Sequence, residues 1–387
     1  MPLPAPLTLG FYYLASFAVL GAYLPYFNLY LKGLGFTGAQ IGMLTLLLPL
    51  SIALAPLTGG MLADRLGWRR GLVIASSLLS LAAFASMTAV RTFPAAVLVI
   101  AAFSAVRAPA LPLVEATAME IAETGGSPYG RMRAWGSLAF IVTALLTGPL
   151  IGRLGERAAV YLIIVLLALQ VPAALLLPPE RLRAAPPAGA VGLWRLLRRP
   201  PVLYFLLAAV LVQAAHGPYY VFYSIHLEAA GYAPRTIGAF WGLAVACEIV
   251  AMLLMPRILG RCGTLPVMGA AALLAAVRFL ICAASVAPLA MAVAQALHAA
   301  TYAAFHVAAV THTYRLFGDE RRASGQTIYG SAAYGVGNVL GMSASGLLYD
   351  HTSMSVLFAG AALVALAAAG LVVAAARRTG CMKPPAM

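Results

Sequence analysis

Twelve stretches of about twenty predominantly apolar residues follow one another along this chain, and each is long enough to cross the hydrocarbon core of a bilayer as a helix. They fall near residues 7–31, 38–63, 70–90, 95–120, 135–155 and 158–178, and then near 201–227, 236–257, 264–285, 288–314, 324–349 and 353–376. Hydrophobic residues make up 63% of the 387, and charged ones only 9%. A water-solvated surface carries about 25% charged residues, so a soluble globular fold is excluded. The breaks between runs hold Gly, Pro and charge. The longest, 179–200 (PERLRAAPPAGAVGLWRLLRRP), reads as a cytoplasmic linker between an N-terminal six-helix bundle at 1–178 and a C-terminal one at 201–387.

The formal net charge of +14 follows from topology. Of 25 Lys and Arg, five (Lys32, Arg91, Arg153, Arg157, Arg235) fall on one side of the predicted spans and two (Arg107, Arg278) inside them. The remaining 18 fall on the other side or in the C-terminal tail. Positive residues stay inside, so both termini are expected in the cytoplasm. No basic face or aromatic-interleaved basic stripe is present, which argues against nucleic-acid binding. The four cysteines show no CxxC spacing, and no Cys/His/acid set has metal-ligand spacing. No basic n-region precedes the first run, so a cleaved signal peptide is not expected. No cofactor is expected, and no ATP-binding loop is seen.

An offset of 196 residues superposes the first two spans of each half without gaps, and the register slips by two later, where Gly136-Ser137 meets Gly330-Ser331. Gly21 meets Gly217, Tyr23 meets Tyr219, Leu31 meets Leu227, Gly35 meets Gly231, and Ile41-Gly42 meets Ile237-Gly238. Such a duplication is a transporter plan, with the site between repeats.

Two motifs carry a family resemblance. Gly59 through Arg70 (GGMLADRLGWRR) resembles the loop signature of the major facilitator superfamily and falls between spans 2 and 3, as it does there. The resemblance implies a cytoplasmic gate built from Gly60, Asp64, Arg65, Gly67, Arg69 and Arg70. Tyr129 through Ser137 (YGRMRAWGS) is similar to a segment of the phenylpropionate permease branch, related to lactose permeases and nucleoside–proton symporters. Also similar are Tyr26–Gly42, His216–Tyr220, Glu248, Gln295–His298 and Gln326–Tyr329. The resemblance implies an all-α membrane protein of twelve helices in two pseudo-symmetric bundles. It would be a secondary transporter working by alternating access, as a monomer in a bacterial inner membrane. Pro128 and Thr301 stand where lactose permeases carry acids, which points away from galactosides.

Charge at membrane depth costs about 2.5–3.5 kcal/mol at a span centre, so the few charged residues there mark function. Arg107, His216, Glu248, Arg278 and His298 lie near the middles of spans 4, 7, 8, 9 and 10, with Glu115 further along span 4. Glu248 and Arg278, with Glu115, are the candidates for proton coupling; alternatively Glu248 and Arg278 form a structural ion pair. Arg107 suits a carboxylate, because a guanidinium grips one bidentately; its alternative is a salt bridge to Glu115. Tyr23, His216, Tyr219, Tyr220, His298 and Tyr302 complete the expected substrate site. The expected activity is proton-driven symport of a small organic anion, aromatic carboxylates favoured, with sugar or nucleoside symport and export as alternatives. An enzyme is not expected, since no nucleophile–base pair is visible.

Overall fold

Helix is the only regular secondary structure among the described residues of the computed structural model, which are 3–55, 68–123, 127–179, 197–318 and 322–379. Among them, ten helical stretches are long and apolar enough to span a membrane, with a shorter apolar helix at Gly38–Leu54. That short helix begins the expected second span, whose remainder lies mostly outside the described residues. The expected eleventh span is helical throughout 322–349 but is not among the ten. Its Gln326, Ser331 and Asn338 dilute its apolar character.

The chain forms two compact units, the first comprising 1–185 with 222–245, the second 186–221 with 246–387. The boundary passes inside two helices, α9 (Gly217–Ala229) and α10 (Pro234–Cys262).

In the first unit, α1 (Ala5–Gly33) packs on α6 (Tyr129–Leu154) and α7 (Arg157–Leu175). Next, α3 (Arg69–Ala85) packs on α4 (Phe93–Arg107) and α7, and α2 (Gly38–Ala55) on α4. The expected fourth span is bent between α4 and α5 (Ala110–Glu123), where Pro109 and Pro112 remove backbone donors. The first helix is buried except on the apolar face of Leu7, Phe11 and Leu14, so it shows no single apolar stripe against a polar face. Tyr26 is enclosed with its hydroxyl satisfied, donating to the Ala144 carbonyl at 2.8 Å and to the Pro234 carbonyl at 3.1 Å.

The second unit repeats the pattern. Helix α8 (Pro200–Ala215) packs on α16 (Met354–Thr379) and on the stretch Ser331–Gly337 leading into α15 (Asn338–Tyr349). Helix α11 (Thr264–Ala284) packs on α16, α12 (Pro288–His298) and α13 (Phe305–Phe317). α14 (Arg322–Gly330) runs against α13.

Matching glycines permit matching crossings. A Cβ on Gly21 would collide with the backbone of Phe140, and one on Gly217 with the backbone of Gly341. Without a hydrophobic force between helices in lipid, such backbone approach supplies the packing. Gly35 and Gly231, partners in the 196-residue repeat, both adopt left-handed φ, +83° and +86°, just beyond α1 and α9. A side chain is disfavoured there, which explains why both positions are glycine. Outward faces are apolar, with Leu98, Leu253, Leu289 and Leu363 largely exposed, as lipid contact requires.

Candidate functional site

Each unit buries a polar cluster. In the first, Arg107 ends α4 and is buried. Its Nη1 donates to Gln170 Oε1 at 3.0 Å, and its Nη2 to the Ser16 carbonyl at 3.2 Å and hydroxyl at 3.4 Å. Gln170 Nε2 in turn donates to the Tyr12 hydroxyl at 2.9 Å. Glu115 does not pair with Arg107; it lies with Arg133 (3.8 Å) and accepts from the Tyr129 hydroxyl at 3.5 Å. The guanidinium of Arg133 covers the Phe17 ring at 3.8 Å. Tyr23 stacks on Phe27 at 4.6 Å in a nest with Phe84 and Phe103.

The second cluster gathers seven of the predicted residues. His216 separates α8 from α9; its Nδ1–H bonds the Val212 carbonyl at 2.7 Å. One turn later Tyr219 donates its hydroxyl to Gln295 Oε1 at 3.1 Å and lies under Arg278, whose Cζ is 4.1 Å from the ring centre. His298 packs against both His216 and Tyr219, with ring centres 5.7 and 5.0 Å apart. Tyr302 stacks on His298 at 5.4 Å, and Tyr220 on His216 at 5.9 Å.

The charge pairing differs from the expected one. Glu248 meets His298 Nε2 at 3.1 Å, the two side chains 14% and 5% exposed, and not Arg278. Arg278 reaches instead to the Ala294 carbonyl through Nε at 3.0 Å. The reason is reach and shape: from α11 the long side chain lies along Tyr219, whose face offers cation–π attraction of about 0.5–2 kcal/mol. Among the ion pairs of the described residues, neither Arg107–Glu115 nor Glu248–Arg278 occurs.

A ladder unforeseen from sequence continues along the tenth span. His306 stacks below Tyr302, and its Nδ1 meets the Tyr334 hydroxyl at 2.7 Å and the Tyr329 hydroxyl at 3.3 Å. The backbone widens to π-helical turns at Ala299–Ala304 and Ser331–Gly337, on either side of this contact. Such turns recur at functional sites. His298, Tyr302 and His306 at four-residue spacing were the available signal, as was Gln295 one turn before His298.

Of the loop signature, Gly60, Asp64, Arg65 and Gly67 lie outside the described residues. Arg69 pairs with Glu120 at 2.6 Å, and Arg70 donates to the Leu175 carbonyl at 2.6 Å, so both tie the start of α3 to neighbours in its own unit.

Apolar helices with buried charge inside and apolar faces outside are those of a multi-pass membrane protein, and its relatives are named transporters. The chain belongs to the MFS_1 like family, whose profile matches residues 7–359. It is 30% identical over 368 residues to a probable 3-phenylpropionic acid transporter of Escherichia coli (strain K12), covering 92% of this chain and 94% of that one. It is 28% identical over 275 residues to a maltose permease of Geobacillus stearothermophilus, covering 70% and 68%. The fold matches the crystal structure of the nucleoside transporter NupG with a TM-score of 0.85 at 19% identity, over 96% of this chain and 99% of that one.

Proposed function

We propose that this transporter is a proton-coupled symporter of a small organic carboxylate, aromatic acids favoured, working by alternating access as a monomer in a bacterial inner membrane. In this reading twelve spans form two six-helix halves, 1–178 and 201–387, joined through 179–200, with both termini cytoplasmic. The residues of the loop signature act as its cytoplasmic gate.

The buried contact between Glu248 and His298 supports the coupling. Charge counting gives the reason. With Glu248 ionised, His298 neutral and Arg278 positive, the cluster is neutral overall. His216, Tyr219, Tyr220, Tyr302 and Cys282 surround it as neutral groups. One proton added to the Glu248–His298 pair leaves a net charge of +1, which a single bound carboxylate cancels. Net charge in a dry site is costly, so the proton and the anion each favour the other's binding. The named substrate of the Escherichia coli relative supports an aromatic acid. The rings of Tyr219, Tyr220, Phe279 and Tyr302 supply matching apolar walls.

Sugar or nucleoside symport is the second reading, favoured by the maltose permease relative. Purified protein in liposomes, given 3-phenylpropionate under an imposed pH gradient, separates the two. Accumulation above equilibrium in the wild type and none in Glu248→Gln is expected, with passive exchange kept. Gradient-independent uptake overturns the coupling; uptake of maltose or uridine with no carboxylate movement overturns the substrate class.

A further inference from the structure

Arg278 is 1% exposed, and among the described residues no carboxylate lies within salt-bridge distance of it. Its Nε is satisfied by the Ala294 carbonyl, but its Nη1 is buried without a hydrogen-bond partner. The neighbouring Gln295 is fully buried and shows the same deficit: Oε1 accepts from Tyr219, while Nε2 has no partner. Buried donors are nearly always paired, and a buried charge without a counter-ion is rarer still. Cation–π contact with Tyr219 and Phe279 offsets only part of that cost.

Arg107 is built differently. Its two terminal nitrogens are both engaged by Ser16 and Gln170, so it has the bonding of a strut.

We propose that Arg278 and Gln295 form the dock for the carboxylate of the transported solute, with Arg107 holding the first unit together and taking no part in anion recognition. The two unpaired donors stand on adjoining positions, since Arg278 is tied to the residue preceding Gln295. Tyr219 aligns both, its ring under the guanidinium and its hydroxyl on the amide. A carboxylate supplies two acceptor oxygens in one group, and the charge that the added proton leaves uncancelled. Two further unpaired atoms, His216 Nε2 and His298 Nδ1, belong to rings packed with each other and, through His298, against Tyr219. With Nδ1–H of His216 on Val212, its Nε2 presents a lone pair, suited to a hydroxyl on the solute's body. The ligand class is therefore a monocarboxylate with an aromatic body, ring substituents bearing O–H tolerated.

This rests on a carboxylate being the cargo, and the test separates the two claims. Equilibrium binding of 3-phenylpropionate and of its neutral isostere 3-phenylpropanamide is measured on reconstituted full-length protein, for the wild type and for Arg278→Gln, Arg278→Lys, Gln295→Leu and Arg107→Gln. The expected wild-type preference for the acid is at least tenfold. Arg278→Gln abolishes that preference while still binding the amide, which certifies its fold; Arg278→Lys keeps part of it, Gln295→Leu reduces it several-fold, and Arg107→Gln leaves it intact. A preference that survives Arg278→Gln, or that vanishes in Arg107→Gln, overturns the dock while the carboxylate reading stands. Equal wild-type affinity for acid and amide overturns both. Should Arg278→Gln fail to fold, Gln295→Leu decides: an unchanged preference rejects the dock.

Discussion

Lys32 Nζ lies 2.8 Å from a carboxylate oxygen of Glu228, and the two residues are separated by 196 positions, the period of the internal repeat. Equivalent sites at the ends of α1 and α9 have thus acquired opposite charges and pair with each other inside the first unit. Both side chains are partly exposed, so the pair contributes about 0.2–1 kcal/mol. Lys32→Glu and Glu228→Lys should each lower stability by that order, and the double exchange should restore it. A double-mutant cycle by chemical denaturation in detergent checks this; absence of rescue means the contact carries no coupling.

The same place predicts a pH effect. Glu156, just before α7, fits against Gly33, where a Cβ would strike its carboxylate. Partial burial holds its pKa above the ordinary value; Glu228 adds to the rise and Lys32 opposes it. A carboxyl that binds its proton more tightly when folded contributes stability present below its unfolded pKa, and that stability is lost as pH rises through the folded value. Raising pH across that window should lower the thermal midpoint of the wild type, whereas Glu156→Gln should be flatter. Parallel pH profiles for both proteins would contradict the assignment.

Helix crossings in the second unit predict large effects from single methyl groups. A Cβ on Gly217 meets the backbone of Gly341, and one on Gly341 meets the backbone of Ala214. Backbone cannot swing aside, so Gly217→Ala and Gly341→Ala should each cost about 1–3 kcal/mol. Gly360, with nothing near its would-be Cβ, is the control, and Gly360→Ala should be neutral. Equal unfolding midpoints for all three would disprove the close crossing.

Arg107→Gln removes the donors held by Ser16 and Gln170 and leaves buried acceptors unpaired. It should lower stability by about 1–3 kcal/mol. Thermal unfolding measures the loss; a variant as stable as wild type but unable to bind the acid would show a role in recognition instead.

Much of this architecture was legible before any coordinates. Hydropathy works because a bilayer leaves the backbone only one way to satisfy itself locally, so apolar runs become helices wherever they occur. The run at 324–349 shows the method's margin: its polar residues weaken the apolar pattern, yet the chain is helical there, with Gln326 donating to the Val310 carbonyl of α13. The repeat paired Gly21 with Gly217, and charge scarcity pointed to Arg107, Glu248, Arg278 and His298.

Which of those groups touch was another matter. Periodicity reports depth and face along one helix, and several partners at the same depth satisfy it equally well. Arg107 had Glu115 within plausible reach on its own span, yet the bend at Pro109 and Pro112 directs it to Gln170 and Ser16 on other helices. Glu248 and Arg278 stand on adjacent spans, yet Tyr219 draws the guanidinium aside and His298 takes the acid. Local composition determined helices, repeat and the identity of the buried charges, because those follow from transfer of single side chains out of water. The pairing, and with it one buried arginine outside any salt bridge of the described residues, was decided by tertiary packing, because a hydrogen bond depends on where two helices cross and no single-helix property encodes that.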